Sequence, residues 1–205
     1  MATDVFGAGA GWETVLMPDA DVHYLRHLPL RRSDRDVLRQ LTAEIAWRQE
    51  EIALWGRKIR QPRLTAWYGD SGRSYAYSGV VLQPLPWTPI LLDIKTRVEQ
   101  AAQSTFNSVL LNSYRDGRDG IGFHSDDEPE LGKRPVIASL SLGEERTFVL
   151  KHKTLKSVKP VHLQLASGSL LLMRGDTQHC WRHGISKEIR HCDPRINLTF
   201  RRIID

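Results

Sequence analysis

"RINLTFRRI", residues 195–203, alternates so regularly that it reads as a β-strand with two faces of opposite chemistry. Successive side chains of a strand leave opposite faces of the sheet, so Ile196, Leu198 and Phe200 point one way and Arg195, Asn197, Thr199 and Arg201 the other. The first face is core. The second is polar throughout, with a cation at each end, and it has two readings. It is either a solvated sheet surface, for which such alternation is ordinary, or the lining of a barrel. In a barrel the two guanidiniums need anions, and a dicarboxylate would satisfy both, because carboxylate pairing suits the planar fork of arginine. A strand of this length spans roughly 20 Å, so one arginine would hold the far end of such a ligand while the other works nearer its reactive end.

Further β-rich segments separated by turn residues run back along the chain: "SVLLNSY" (108–114), "VIASLSL" (136–142), "RTFVLKH" (146–152), "VHLQL" (161–165), "GSLLLM" (168–173) and "HCWRHGI" (179–185). Many short strands with long returns predict an antiparallel double sheet. Two amphipathic helices precede them. In "SDRDVLRQLTAEIAW" (33–47) Ser33 is the N-cap and Val37, Leu38, Leu41 and Ile45 recur at helical spacing; in "TPILLDIKTRVEQAA" (88–102) Thr88 caps, Pro89 takes the first turn, and Leu91, Ile94 and Val98 form the stripe. Those stripes require a flat apolar partner. The expected fold is therefore α+β, a double-stranded β-helix (jelly-roll) core with two helices from the N-terminal half on one sheet.

The totals fit one domain: 205 residues, 40% hydrophobic and 26% charged. No apolar run approaches the roughly 18 residues of a membrane span. "MATDVFGAGAGWETV" (1–15) lacks the basic start and apolar stretch of a secretory signal, so an intracellular protein is expected, cytoplasmic or, in a eukaryote, nuclear. Residues 1–12 read as a flexible terminus and 13–205 as a single domain, with recognition loops at 54–79. Cys180 and Cys192 are the two cysteines and form no CxxC, which suggests neither a disulfide framework nor a cysteine zinc site. A net charge of +5 is compatible with a polyanionic partner without requiring one.

Against that basic balance, "GFHSDDEPE" (122–130) concentrates acid. If it is extended, His124 and Asp126 face the same way and can grip a metal. A lone HxD is weak evidence; His179 and His183 in "HCWRHGI" each offer a third ligand. Two histidines and a carboxylate on one face of a metal match non-haem Fe(II) oxygenases, and zinc hydrolysis is the competing chemistry. In "LLNSY", Asn112 and Tyr114 share a face and could fix the oxygens of one ligand. Glu128 and Glu130 suggest a solvated turn.

Together "YGDSGRSYAYSG", "NSYRDGRDGIGFHSDDEPELG", "IASLSLGEERTFVLKHK", "GSLLLM", "WRHGI" and "RINLTFR", within about residues 53–203, resemble the AlkB family of Fe(II)- and 2-oxoglutarate-dependent nucleic-acid demethylases, most closely the members that repair alkylated DNA. The resemblance implies that His124, Asp126 and His183 bind iron, His183 being preferred to His179 because it stands in "WRHG". It implies that Asn112, Tyr114, Arg195, Thr199 and Arg201 hold 2-oxoglutarate, with Arg195 on the distal carboxylate and Asn197 assisting. It also implies that Asp127 contacts the target base, that Trp55, Gly56 and Arg57 form one substrate loop, and that Tyr75, Ala76 and Tyr77 form another.

The implied reaction consumes O2 and 2-oxoglutarate, yields succinate, CO2 and formaldehyde, and restores the base. The implied partner is alkylated DNA, single- or double-stranded, with RNA as a second polynucleotide class, and the protein is expected to be monomeric and away from membranes. A base in a duplex must leave the stack to react; Trp55, Tyr75 and Tyr77 are candidates to wedge or stack. Arg57, Lys58, Arg60 and Arg63 are candidates to neutralise phosphates. Two other readings keep a place: the same fold and iron acting on a protein or small molecule, and a nucleic-acid-binding module without catalysis.

Overall fold

The structure, a computed structural model, describes residues 11–54, 57–72, 75–77 and 80–204, the side chains of 52–54, 57, 58, 75–77 and 80–82 excepted. In chain order the elements of the first half are β1 (Trp12–Thr14), β2 (Asp21–Leu25), α1 (Asp34–Glu44), β3 (Glu51–Leu54), β4 (Arg57–Arg60), β5 (Leu64–Gly69), β6 (Tyr75–Tyr77), β7 (Val80–Leu82) and α2 (Pro89–Ala102). The second half carries β8 (Ser108–Tyr114), β9 (Ile121–His124), β10 (Ile137–Gly143), β11 (Arg146–His152), β12 (Val161–Leu165), β13 (Leu170–Arg174), α3 (Thr177–Cys180), β14 (Trp181–Ile185) and β15 (Arg195–Arg201). A 3-10 turn at Pro129–Leu131 ends the acidic stretch.

Seven strands form the larger sheet in the order β1-β2-β13-β10-β15-β8-β5, and four form the smaller in the order β12-β11-β14-β9. The strands of both sheets pair antiparallel. Two hairpins, β3-β4 and β6-β7, stand outside both sheets. This is the expected jelly roll, and both helices lie where the stripes placed them. Ser33 accepts from the Asp36 N–H and Thr88 from the Leu91 N–H, so each helix starts on a side-chain cap. Val37, Leu41, Leu91, Ile94 and Val98 then join one apolar cluster with residues of β8, β10, β13 and β15.

Burial decides between the two readings of β15. Ile196, Leu198 and Phe200 belong to the cluster under the helices, whereas Arg195, Asn197 and Thr199 are also buried, on the side facing the smaller sheet. The larger sheet thus has no solvated face at its centre. Two strands away in the same sheet, β13 obeys the same division: Leu170 and Leu172 pack under the helices, while Leu171 and Met173 join a second cluster with Phe148, Leu150, Trp181 and Ile185 of the smaller sheet. Full burial of each such aliphatic side chain contributes about 1.5–3 kcal/mol. Apolar packing therefore holds both sides of β13, while β15 turns its polar residues to the interior.

Candidate active site

Three side chains converge where the smaller sheet meets the end of β15. His124 ends β9 and His183 lies in β14; the strands pair them directly, with ring centroids 4.5 Å apart. Asp126 follows two residues beyond the end of β9, and the ligand atoms of the three residues lie within 4.8 Å of one another. Gly184 allows the approach: a Cβ there would come within 2.9 Å of the Ile121 carbonyl oxygen on β9. Phe148 stacks on the His183 ring at 5.0 Å and 27°, fixing its plane.

Hydrogen bonds set the chemical state of each donor. The Nδ1–H of His124 donates to the Gly122 carbonyl at 2.9 Å, which leaves Nε2 as the lone-pair nitrogen, the usual arrangement behind a metal-bound histidine. Burial pushes His183 down to about 3 against the pull of Asp126, so its imidazole is neutral and able to ligate. Burial alone would raise the Asp126 carboxyl; the Arg201 guanidinium, His183 and His124 outweigh it and hold the group below its ordinary value. Arg201 Nη2 donates to Asp126 Oδ1, and the Asp126 N–H donates to Gln178 Oε1 at 2.9 Å. Two imidazole nitrogens and one buried carboxylate on one side of a space are a donor set suited to Fe(II).

That space opens into a cavity with about 450 Å³ of empty volume, part of it open to solvent. Its polar lining is Asn112, Tyr114, Ser139, Arg195, Asn197, Thr199 and Arg201, and its apolar walls include Leu110, Ile121, Phe148, Leu165, Met173 and Ile185. Arg63 Nε donates to Asn112 Oδ1 at 2.7 Å, so the amide nitrogen of Asn112 is the donor on offer. Asn197 Nδ2 donates to Ser139 Oγ at 2.7 Å and to the Leu140 carbonyl at 3.1 Å, so this side chain braces the wall and has no amide hydrogen to spare. Arg195 is different. It is 1% exposed, its Nη2 donates to Ser141 Oγ at 2.9 Å, and its Nε and Nη1 are buried with no partner among the described residues. Burial pushes this guanidinium down from its ordinary value. A desolvated cation with unused donors, at the end of the cavity away from the triad, is what one carboxylate of a dicarboxylate ligand requires.

Most of the residues singled out by sequence meet here, but the surroundings differ in several respects. "HCWRHGI" is not one strand: residues 177–180 make a helical turn, and His179 is exposed outside the triad. Asp126 is not on the strand that carries His124; its place comes from Gln178 and Arg201. Among the cations assigned to phosphates, Arg63 is turned to Asn112 and Arg60 lies 3.7 Å from Glu51. Asp127 Oδ2 accepts from Lys153 Nζ at 2.8 Å, and the same ammonium donates to the Gln178 carbonyl at 2.8 Å. Trp55 and Gly56 lie outside the described residues; Arg57 is on β4 and Tyr75, Ala76 and Tyr77 on β6, with side chains outside the description. Residues 1–10 are likewise outside it.

A second cluster of ligand types, Asp19, His152 and Cys180, has the wrong tautomer for a metal. The Leu155 N–H donates to His152 Nδ1 at 2.9 Å, so a neutral ring carries its proton on Nε2, the nitrogen 3.4 Å from Asp19 Oδ2.

Residues 21–201 match the family model described as the 2OG-Fe(II) oxygenase superfamily. Mouse (Mus musculus) DNA oxidative demethylase ALKBH2 is 41% identical over 177 residues, covering 82% of this chain and 74% of that one. The chain belongs to the AlkB family of 2OG-Fe(II) oxygenases. Human (Homo sapiens) ALKBH2 is 37% identical over 206 residues, 96% of this chain and 78% of that one. Mouse alpha-ketoglutarate-dependent dioxygenase alkB homolog 3 is 43% identical over 175 residues, 82% of this chain. The chain spans about 60% of the length of the alkB homolog 3 relatives it matches. The fold also matches a solved structure, "The structure of OsALKBH1", with TM-score 0.63 and 19% identity over 93% of this chain and 99% of that one. The AlkB family takes Fe(II) and 2-oxoglutarate, and the triad and the unpartnered Arg195 donors fit both.

Proposed function

We propose that this protein is an Fe(II)- and 2-oxoglutarate-dependent dioxygenase that demethylates N-alkylated bases in DNA, of the N1-methyladenine and N3-methylcytosine type, as a direct-reversal repair enzyme. The observation that carries the reading is one cavity holding both a two-histidine, one-carboxylate triad and a buried arginine, two of whose donors have no partner among the described residues. Relatives at about 40% identity named as DNA oxidative demethylases supply the substrate class. On this reading alkylated DNA is the partner, RNA is the second polynucleotide to test, and the protein works as a monomer in the cytoplasm or nucleus.

His124, Asp126 and His183 hold the iron, and Asn112, Tyr114, Arg195, Thr199 and Arg201 bind 2-oxoglutarate, with Asn197 holding the wall. When bound, Fe(II) with 2-oxoglutarate and O2 supplies the oxidation of the N-methyl group, giving succinate, CO2 and, from the methyl carbon, formaldehyde. The chain positions and insulates that reaction. Arg201 and Gln178 fix Asp126; Phe148 fixes His183; Leu110, Ile121, Met173 and Ile185 supply apolar walls. Asp127 faces the target base, where a carboxylate favours a ring made cationic by N-methylation over the neutral product. Trp55, Gly56 and Arg57, with Tyr75, Ala76 and Tyr77, receive the flipped nucleotide.

The deciding experiment offers oligonucleotides bearing N1-methyladenine or N3-methylcytosine, single- and double-stranded, as DNA and RNA. Formaldehyde and restored base are measured by mass spectrometry. Turnover dependent on Fe(II) and 2-oxoglutarate is expected; cosubstrate decarboxylation without base repair on any oligonucleotide would turn the reading toward a protein or small-molecule substrate.

A further inference from the structure

Behind Tyr114 lies a buried arginine that the cavity does not touch. Arg146 opens β11, is 1% exposed, and spends its guanidinium on four acceptors. Nε donates to Glu188 Oε1 at 2.9 Å, Nη2 to the Ser186 and Asp119 carbonyls at 2.6 and 3.1 Å, and Nη1 to the Asp116 carbonyl at 3.4 Å. These acceptors come from two segments, one following β8 and one following β14. The segments meet backbone to backbone: the Glu188 N–H donates to the Gly117 carbonyl at 2.7 Å, and a Cβ on Gly117 would lie 2.5 Å from the Glu188 carbonyl oxygen.

The same guanidinium sits 6.0 Å from the centroid of the Tyr114 ring, and that of Arg195 sits 5.1 Å from it. Two cations therefore share one aromatic ring, and they differ in one respect. Arg146 has Glu188 as its carboxylate, while Arg195 has none among the described residues. Arg195 also pairs directly with Tyr114 across the β15-β8 ladder, so a shift of the ring displaces the arginine that crosses it.

We propose that Arg146 is a positioning residue for the cosubstrate: by riveting the two segments behind Tyr114 it fixes that ring, and through it aims Arg195 at the distal carboxylate. The inference rests on the reading of this cavity as the 2-oxoglutarate site. Its physical basis is preorganisation, since a guanidinium held in its bound position loses less freedom when the carboxylate arrives.

The test compares two ligands of equal length. Fe(II)-loaded protein is titrated anaerobically with 2-oxoglutarate and with 2-oxopentanoate, which has a methyl group in place of the distal carboxylate, and the charge-transfer absorption band is followed. Arg146→Met should weaken 2-oxoglutarate about tenfold, the loss of one aimed bond to a charged group, and leave 2-oxopentanoate unchanged. Arg146→Lys keeps the charge without the fork and should show the same selectivity with a smaller factor; it is the variant to read if Arg146→Met does not fold. Equal weakening of both acids, or of neither, overturns the proposal and leaves Arg146 a purely structural residue. A wild-type protein that gives no band with 2-oxoglutarate would instead refute the cofactor reading.

Discussion

Replacing Arg195 by Met separates a cation kept for a ligand from one kept for the fold. In the ligand-free protein the change removes a guanidinium whose burial costs several kcal/mol. Against that relief stand the bond to Ser141, about 1.5–3 kcal/mol for a charged donor, and the contact with the Tyr114 ring, about 0.5–2 kcal/mol. The contributions nearly cancel, so ligand-free Tm should move by no more than about 3 °C. Binding is another matter. If the two unpartnered donors, Nε and Nη1, serve the distal carboxylate, their loss removes two charge-assisted bonds, about 3–6 kcal/mol together, or at least a hundredfold in 2-oxoglutarate affinity. Thermal unfolding without ligand and anaerobic titration with it give the two numbers. A ligand-free Tm lower by about 6–20 °C, the cost of breaking a buried pair, together with unchanged affinity would refute the reasoning.

Gln178→Leu should leave the buried Asp126 N–H unsatisfied and lower Fe(II) affinity by about 10–100-fold, measured by metal titration. Gly184→Ala should force β9 away from β14, separating His124 from His183, and weaken metal binding while the helices stay intact by circular dichroism. Burial alone would raise the Asp119 carboxyl, but hydrogen bonds from Arg115 hold it below its ordinary 3.8. Its contribution to stability is therefore full above that value and lost as the pH falls through the lower, folded-state value. Asp119→Asn should lower Tm at pH 7 and converge with wild type in strong acid, in thermal unfolding against pH. Ser33→Ala removes the cap of α1 and should cost about 1 kcal/mol in denaturant unfolding.

What could be read from the sequence, and what could not, divides along the range of the interactions. The strand at 195–201 was legible because each face has a single chemistry, although alternation left open whether the polar face met water or a cavity. The caps at Ser33 and Thr88 were legible because a cap acts within its own turn. His179 was misplaced because the helical turn at 177–180 is stabilised from afar: Thr177 Oγ1 accepts from the Asp21 N–H, and Gln178 reaches Asp126. Neither contact leaves a periodic trace. The roles of Gln178 and Arg146 leave no sequence pattern for the same reason, since each satisfies groups of distant segments. Ser139 and Ser141 did leave one signal, small hydroxyls at alternate positions of a strand that is otherwise core.

The unpaired state of Arg195 has a consequence for the lifetime of the protein in a cell. If 2-oxoglutarate supplies the missing counter-ion, it binds the folded chain and not the unfolded one. At a hundred times its dissociation constant such a ligand adds about 2.7 kcal/mol to the free energy of unfolding. The fraction of molecules exposed to proteases would then follow the supply of 2-oxoglutarate, and a fall in that supply would reduce the amount of enzyme as well as its turnover.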